Sequence, residues 1–375
     1  MPWIHFHLGS KGQVNACCVS SIKYGNINNS NINTIWNNEK INEIRSKFIK
    51  GDADKRCAVC INLELSGAKS IRQETFERFP NVDITTINNP IYYDIRFSNV
   101  CNFRCRTCWH GASSKWFNEA KTLNTNLGSK AIIKNINDFN QFIEKNGQYL
   151  HQAQEFYFAG GEPLVTEEHY LLLDYLIKNK ITNVKLRYNT NFSILKFKNY
   201  DVLAYWKHFK EVEVLASIDE SEKLGEYIRK ELNWNTFVAN REKLRPLPNV
   251  SFKISPTVSV FNIETLPEFY KTCLSLNLIA KNDIYINILD RPHYYSSKVF
   301  SNDKKKMITK IFTDFMVWCG KNNVPETIQS QFNDCVKFMN EEEYHSKYWS
   351  VFISETKQLD DMRNETYNTL LTTTQ

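Results

Sequence analysis

The sequence has neither a long apolar stretch nor a basic leader, and these absences restrict where the protein can reside. No apolar run approaches the roughly 20 residues that a membrane-spanning helix requires. Residues 1–5 lack the basic region followed by an apolar region that marks a secretory signal peptide. We therefore expect a cytoplasmic protein without a membrane segment.

Long blocks of lysine and arginine are also missing. The 375 residues include 47 lysines and arginines against 41 aspartates and glutamates, a formal net charge of +6, and the basic side chains are scattered. Scattered charge is typical of a solvated surface and is weak evidence for a polyanionic partner. The length and a hydrophobic content of 42% allow one large domain and a smaller one.

Cysteine, in contrast, is plentiful. The chain has 10 cysteines, and most stand in pairs and one triplet. Such clustering favours metal binding in a reducing compartment over a disulfide framework. Cys273, Cys319 and Cys335 stand alone within apolar helical patterns, so we expect them to be buried thiols.

The triplet follows a strand-like run at residues 92–97 and reads C-x3-C-x2-C, with Cys101, Cys105 and Cys108 as its cysteines. Thiolates so close in sequence usually hold a metal or a cluster. A structural zinc site and a [4Fe-4S] cluster both take four ligands. Three thiolates would therefore leave one iron of a cluster open, and an open iron can bind and activate a small molecule.

A glycine-rich turn follows a second apolar run at residues 155–159. It consists of Gly160, Gly161, Glu162 and Pro163. Two glycines let the backbone approach a ligand without an intervening side chain. A carboxylate and free carbonyl groups suit a charged amino group, so the turn is a candidate ligand site.

Together the two motifs resemble the radical S-adenosylmethionine (SAM) superfamily. The resemblance implies that the cysteine triplet holds a [4Fe-4S] cluster and that the GGEP turn lines the site for the methionine end of SAM. Thr107 departs from the pattern, because that position is often aromatic and lies near the adenine; adenine contacts would then come from elsewhere, such as Trp109 or the backbone. The alternative is a zinc loop beside an unrelated turn.

Residues 1–85 hold a second metal-ligand pattern. Cys17 and Cys18 are adjacent, and Cys57 and Cys60 form a C-x2-C pair. With the G-x4-C step that ends at Cys17, this stretch resembles the SPASM/twitch modules of radical SAM enzymes, which bind auxiliary iron-sulfur clusters and commonly follow the barrel. The resemblance implies one auxiliary cluster, because a full SPASM domain has further cysteines after the C-x2-C pair.

The fourth ligand of this auxiliary centre stays open. Cys18, His5, His7 or no protein group at all can complete it. His5 and His7 alternate in a strand and share one face, which also suits a structural role. Zinc is the alternative metal, because four thiolates, or three thiolates and one imidazole, satisfy it equally well.

Residues 90–300 alternate apolar strands with amphipathic helices. We predict six strands, at residues 92–97, 155–159, 184–188, 212–217, 251–258 and 284–289. This alternation implies parallel strands with crossover helices, and the resemblance implies the partial (β/α)6 barrel of the radical SAM superfamily. The predicted fold class is α/β, with the cysteine-rich metal-binding module at residues 1–85 and a helical C-terminal extension at residues 301–375.

In barrels of this kind the loops after the strands carry the chemistry. Asn191 follows the third predicted strand, Ser217 closes the fourth, and Arg229 lies beyond it. The resemblance implies that Asn191 can hydrogen-bond the ribose or carboxylate of SAM and that the Ser217 hydroxyl can reach the ribose, and Arg229 can pair with the carboxylate by a bidentate contact. Asparagine and serine are also common turn residues, and Arg229 can equally be a surface residue of a helix.

The resemblance as a whole implies a radical SAM enzyme. It would cleave SAM reductively to methionine and a 5′-deoxyadenosyl radical, which would abstract hydrogen from a substrate carbon. We expect an electron donor such as flavodoxin or ferredoxin, and no catalytic side chain beyond the cluster loop. The substrate is expected to be a peptide or an anionic metabolite. The alternative function is that of a non-catalytic structural or interaction protein that binds zinc or iron-sulfur centres.

Overall fold

The computed structural model describes residues 1–52, 54–65, 69–84, 87–125 and 128–367. The chain forms two compact units, which are Met1–Val100 with Lys130–Tyr188 and Tyr200–Val212, and Cys101–Ser129 with Asn189–Asn199 and Glu213–Gln375. The three-domain division stays a prediction. Its boundary at residue 85 and the last eight residues of its C-terminal extension lie outside the described residues.

The strands within the described residues are short. In chain order they are β1 (His5–Leu8), β2 (Gln13–Asn15), β3 (Lys23–Asn26), β4 (Tyr92–Ile95), β5 (Arg104–Cys105), β6 (Glu155–Phe158), β7 (Lys185–Thr190), β8 (Lys196–Phe197), β9 (Tyr200–Asp201), β10 (Glu211–Ala216), β11 (Arg229–Lys230), β12 (Val250–Ile254), β13 (Thr257–Val258) and β14 (Asn287–Ile288). Each of the six strands predicted from the sequence has a counterpart among them.

The helices of the described residues fill the intervals. They are α1 (Ile32–Trp36), α2 (Glu39–Ile49), α3 (Ala58–Leu65), α4 (Ile71–Arg78), α5 (Phe117–Thr122), α6 (Phe139–Asn146), α7 (Glu167–Lys178), α8 (Val202–Trp206), α9 (Glu222–Ile228), α10 (Trp234–Glu242), α11 (Leu266–Ser275), α12 (Asn302–Lys321), α13 (Glu326–Glu341) and α14 (His345–Arg363). No helix in this part of the chain is long and apolar enough to span a membrane.

The sheet of the first unit is built on parallel strands. β4, β6 and β7 pair in parallel, with Tyr93 opposite Phe156 and Phe158 opposite Tyr188. These side chains are almost fully buried, as expected where helices cover a parallel sheet. The N-terminal strand β1 extends this sheet, since it pairs in parallel with β4, and β2 and β3 continue it in antiparallel fashion. The sequence did not predict that the cysteine-rich segment shares a sheet with the strands that follow it.

The second unit contains the end of the strand-helix alternation and the helical C-terminal region. β13 pairs in parallel with β14, and α12, α13 and α14 follow. Ser301 caps α12 by accepting a hydrogen bond from the Lys304 amide. The predicted α/β fold class, with parallel strands and a helical C-terminal region, is confirmed. Cys273, Cys319 and Cys335 are buried as expected.

Candidate functional site

The loop that carries the cysteine triplet is held by strand pairing and by hydrogen bonds of its backbone amides. Cys105 belongs to β5, which pairs with β11 so that Cys105 stands opposite Arg229. The amide of Cys108 donates to the Cys105 carbonyl over 3.1 Å, and the amide of Phe103 donates to Sγ of Cys101 over 3.4 Å. The three thiols are half-buried and free of disulfides. The loop thus presents three available sulfur ligands on an ordered backbone.

A buried arginine lies beside these thiols. Nη1 of Arg229 donates towards Sγ of Cys105 over 3.8 Å, and Nη2 donates to Oδ1 of Asp219 over 2.8 Å. Burial lowers the pKa of Arg229, but the Asp219 carboxylate and Cys105 raise it more, so the pKa ends above its ordinary value. Arg229 is therefore a permanent cation at the loop. Its role as a partner of the SAM carboxylate stays a prediction, and Asp219 already occupies one side of its guanidinium.

The thiols of Cys105 and Cys108 are protonated when no metal is bound. Burial raises the pKa of Cys105 and raises that of Cys108 to about 12. A metal or cluster binds thiolates, so its binding must release these protons. Arg229 lowers the pKa of Cys105 against the effect of burial, and this favours the anionic form that a cluster needs.

Two other predicted residues lie in the same unit as the triplet. The Asn191 amide donates to Oδ1 of Asn102, the residue after Cys101, over 2.8 Å, while its own Oδ1 accepts from Ser193. The backbone amide of Ser217 donates to the Thr190 carbonyl over 2.7 Å. Asn191 thus contacts the cysteine loop, and Ser217 is held at the end of β10.

A cavity of about 520 Å³ opens beside the loop. Cys108 and Trp109 contribute to its wall, together with Arg291 and Tyr294, and Trp109 is 62% exposed. An exposed indole next to Cys108 is a surface on which a planar ring can stack. This is compatible with Trp109 supplying the contact that Thr107 lacks.

Sequence reasoning missed the residues that anchor the loop to α14 and to the residues just after it. Arg106 has a fully buried side chain that donates to Asp360 over 2.5 Å and to Glu365 over 2.6 Å. Its guanidinium carbon lies 3.5 Å from the ring centre of Tyr227. Arg104 and Arg106, on both sides of Cys105, indicated that acidic partners were needed. Nothing in the sequence identified which acidic residues these were, because they lie some 250 positions away.

A second anchor joins the same loop to the same helix. Oε1 of Glu119 accepts from Arg104 over 2.7 Å and from Arg363 over 3.0 Å. Arg363 also donates to the Arg104 carbonyl over 2.8 Å. Glu119 and Arg363 are buried, so this network has little competition from water. The C-terminal helix is therefore part of the support of the cysteine loop.

The glycine-rich turn lies in the first unit and packs on the residues that precede the triplet. Gly160 and Gly161 have φ angles of +78° and +59°, which favour glycine. A Cβ atom on Gly161 would lie 2.3 Å from the Val100 carbonyl oxygen, and that oxygen accepts a hydrogen bond of 2.7 Å from the Glu162 amide. Glu162 and Pro163 are buried. Gly161 is thus required for a close backbone approach to Val100, next to Cys101 in sequence.

The N-terminal cysteines divide into two groups. Cys17, Cys57 and Cys60 line one cavity. Among the described residues that line it, Cys18 does not appear; its side chain is exposed, and the carboxylate of Asp94 acts to raise its pKa. Three of the four predicted thiols therefore share a site, and Cys18 lies within the electrostatic influence of β4 instead.

His5 and His7 are absent from that cavity as well, among the residues described there. Both side chains lie on the same face of β1, and the Nδ1 atom of His7 is 2.7 Å from Oδ2 of Asp94 on β4. Neither histidine is brought beside the three thiols as a fourth ligand in this cavity. The assignment of ligands to the auxiliary centre stays a prediction.

The cavity of Cys17, Cys57 and Cys60 coincides with the part of the chain that matches a known family. Residues 1–61 match the model of the SPASM family, an iron-sulfur cluster-binding domain. The predicted SPASM-like character of the N-terminal segment is confirmed. All three cavity thiols fall within the SPASM match, and their donor set fits an iron-sulfur centre.

Solved structures give only distant likenesses, and no curated protein matches the chain. Native anSMEcpe with bound AdoMet has 17% identity and a TM-score of 0.44, over 62% of this chain and 63% of that one. Streptococcus suis SuiB bound to S-adenosylmethionine has 12% identity and a TM-score of 0.36, over 76% and 59%. SuiB bound to precursor peptide SuiA has 12% identity and a TM-score of 0.36, over 78% and 63%. This chain spans less than two thirds of each of these proteins, and likenesses this weak do not establish its activity.

Proposed function

We propose that this chain is a radical SAM enzyme with a [4Fe-4S] cluster on Cys101, Cys105 and Cys108. The observation that carries the proposal is the environment of the sulfurs. Sγ of Cys101 accepts a hydrogen bond from the Phe103 amide, and Sγ of Cys105 faces the guanidinium of Arg229. Donors and a fixed cation directed at sulfur stabilise thiolate ligands and tune a cluster. A disulfide or a plain buried thiol needs neither.

A bound cluster with SAM at its open iron would supply an electron to the sulfonium and so release a 5′-deoxyadenosyl radical for hydrogen abstraction. The chain's own residues hold and shield that chemistry. Arg229 keeps a positive charge beside Cys105, and Asn191 fixes Asn102 next to Cys101. The cavity beside Cys108 offers room for a ligand, with Trp109 in its wall.

The glycine-rich turn is proposed to receive the methionine end of SAM. Gly160 and Gly161 place no side chain there, and Glu162 contributes a carboxylate that is itself held by the Leu164 amide over 3.0 Å. A fixed carboxylate suits the ammonium group of an amino acid. Ser217 is proposed to reach the ribose, and Arg229 the carboxylate, as the sequence predicts.

Cys17, Cys57 and Cys60 are proposed to hold an auxiliary iron-sulfur cluster. The shared cavity and the SPASM match support this assignment. Zinc is the competing metal, since thiolates satisfy both. An auxiliary cluster would relay an electron to or from the substrate or bind the substrate directly. A peptide is the first substrate class to test, with an anionic metabolite as the second, and a flavodoxin or ferredoxin is the proposed electron donor.

Metal analysis separates this proposal from a structural zinc protein. The protein is reconstituted anaerobically with iron and sulfide, desalted, and assayed for iron, sulfide and zinc. We expect about eight irons per chain, brown colour and conversion of SAM to methionine under dithionite. About four irons with one zinc would assign zinc to the N-terminal centre. Colourless protein with zinc at both sites would overturn the enzyme proposal in favour of a structural role.

A further inference from the structure

A buried group of three metal-ligand side chains lies on the β1–β4 face of the first unit. His5 and His7 lie on β1, and Asp94 lies on β4 directly opposite His7. One ligand atom from each of the three lies within 4.8 Å of the others. Nδ1 of His7 is 2.7 Å from Oδ2 of Asp94, and Nε2 of His5 is 3.8 Å from the same oxygen. Two imidazoles thus converge on one carboxylate oxygen.

His5 is the observation that requires an explanation. Its side chain is 1% exposed, and neither Nδ1 nor Nε2 has a hydrogen-bond partner within the described residues. A buried polar atom without a partner costs about 1–3 kcal/mol, so native structures almost always satisfy such atoms. The ring of His5 stacks on Tyr92 at 4.3 Å between centres, which fixes its plane but satisfies neither nitrogen.

Other unsatisfied atoms share this position. Oδ1 of Asp94 and Oδ1 of Asn15 are buried without a hydrogen bond in the described part of the chain. Asn15 stands opposite His7 in the β1–β2 register, so it lies in the same cross-strand row as His7 and Asp94. Unsatisfied nitrogen and oxygen acceptors gathered at one place are typical of a cation site, because a metal ion accepts lone pairs from all of them.

An ion pair between Arg96 and Asp94 accounts for only part of the group of His5, His7 and Asp94. Nε of Arg96 lies 3.5 Å from Oδ1 of Asp94, whereas both histidines approach Oδ2. A metal ion binds a carboxylate as the anion and an imidazole through an unprotonated nitrogen, so metal binding at this group releases any proton that these side chains carry.

We propose that His5, His7 and Asp94 form a site for a divalent transition-metal ion, separate from both cysteine centres. Two imidazoles and one carboxylate are the ligand set of three-ligand zinc sites and of non-haem iron(II) sites, which leave positions open. Metal–ligand bonds of about 2.0–2.1 Å place tetrahedral ligand atoms roughly 3.3 Å apart. The present spacings lie on both sides of that value, so small side-chain movements suffice. Asn15 is a candidate for a further oxygen ligand.

Zinc binding to the full-length, anaerobically reconstituted protein tests this site. The protein is equilibrated with Zn²⁺, desalted and analysed by mass spectrometry for zinc and iron, together with His5→Gln and Asp94→Asn variants. We expect each variant to bind one zinc per chain fewer than the wild type, with iron unchanged. The matched control is His169→Gln, because His169 is equally buried but is bonded to the Tyr188 hydroxyl; it should bind as much zinc as the wild type.

Equal zinc in the wild type and in the His5→Gln variant would overturn the site. Anomalous diffraction at the zinc edge keeps the proposal testable if a variant fails to fold. A peak between His5, His7 and Asp94 supports the site, and a peak only at Cys17, Cys57 and Cys60 contradicts it. The result does not depend on SAM cleavage, so this site and the proposed enzyme function succeed or fail separately.

Discussion

Nη1 of Arg229 lies 3.8 Å from Sγ of Cys105. Both residues belong to paired strands, β11 and β5, and stand directly opposite each other. The guanidinium is held in place by Asp219, which is fully buried and also accepts from the Thr257 amide over 2.7 Å. Burial raises the pKa of Cys105, and the Arg229 cation acts against that effect, so it eases the loss of the thiol proton that accompanies binding of a metal or cluster.

Arg229→Gln is expected to weaken the cysteine loop as a cluster site. The change leaves the Asp219 carboxylate buried without its ion-pair partner, which costs about 3–5 kcal/mol. Urea unfolding and iron content after reconstitution measure the two effects. Arg245→Gln is the control, because Arg245 forms an exposed pair with Glu242. If the Arg229 variant kept full iron and wild-type stability, the cation would have no role at the loop.

Glu119→Gln is expected to destabilise the anchor between the loop and α14. It leaves Arg104 and Arg363 without the carboxylate that both contact, and loss of one partner of a buried ion pair costs about 3–5 kcal/mol. Chemical unfolding followed by circular dichroism measures the loss. Glu242→Gln, in an exposed pair, should leave the unfolding midpoint unchanged. A midpoint equal to that of the wild type for Glu119→Gln would show that α14 does not support the loop.

Gly161→Ala is expected to displace the start of the cysteine loop. The added Cβ would lie 2.3 Å from the Val100 oxygen, and the φ angle of +59° adds strain. The control is Gly51→Ala, where φ is +73° but no atom lies within 4 Å of the added Cβ. We expect a larger loss of SAM affinity and thermal stability for Gly161→Ala than for Gly51→Ala. Equal losses in the two variants would show that backbone strain alone, and not the contact with Val100, causes the effect of Gly161→Ala.

The buried carboxyl group of Glu220 is expected to make the stability of the fold depend on pH. Burial raises its pKa from 4.5 to about 7, so the folded state binds the proton more tightly than the unfolded state. The stabilisation is complete below pH 4.5 and is lost as the pH rises through 7. Glu220→Gln can keep the hydrogen bonds from Ser221. Because glutamine carries no ionisable proton, the variant does not lose stability as the pH rises.

The variant should therefore be more stable than the wild type at pH 8, by up to about 3 kcal/mol, and nearly equal to it at pH 4.5. Thermal unfolding across this range measures the difference. Glu268→Gln, at an exposed position, should show no such pH-dependent difference. A constant difference between wild type and Glu220→Gln at all pH values would contradict a raised pKa.

Local patterns predicted the elements, but they did not predict long-range partners. The runs around residues 92–97 and 155–159 became β4 and β6 because apolar strand patterns are read over a few residues. The partners of Arg106 on α14 and just beyond its end, and the pairing of β1 with β4, depend on how distant segments meet, which a single sequence does not state. His5 and His7 were correctly placed on one face, yet Asp94 as their shared neighbour became visible only with the strand register.

Reductive cleavage of SAM at the cysteine triplet is tested by quantifying 5′-deoxyadenosine. Reconstituted protein is mixed anaerobically with dithionite and SAM, and the product is quantified by chromatography. We expect 5′-deoxyadenosine from the wild type and from a Cys319→Ala control, and none from Cys101→Ala or Cys105→Ala, although both keep the iron of the N-terminal centre. SAM cleavage that persists in Cys101→Ala, or its absence from wild-type protein with a full iron and sulfide content, would contradict the account.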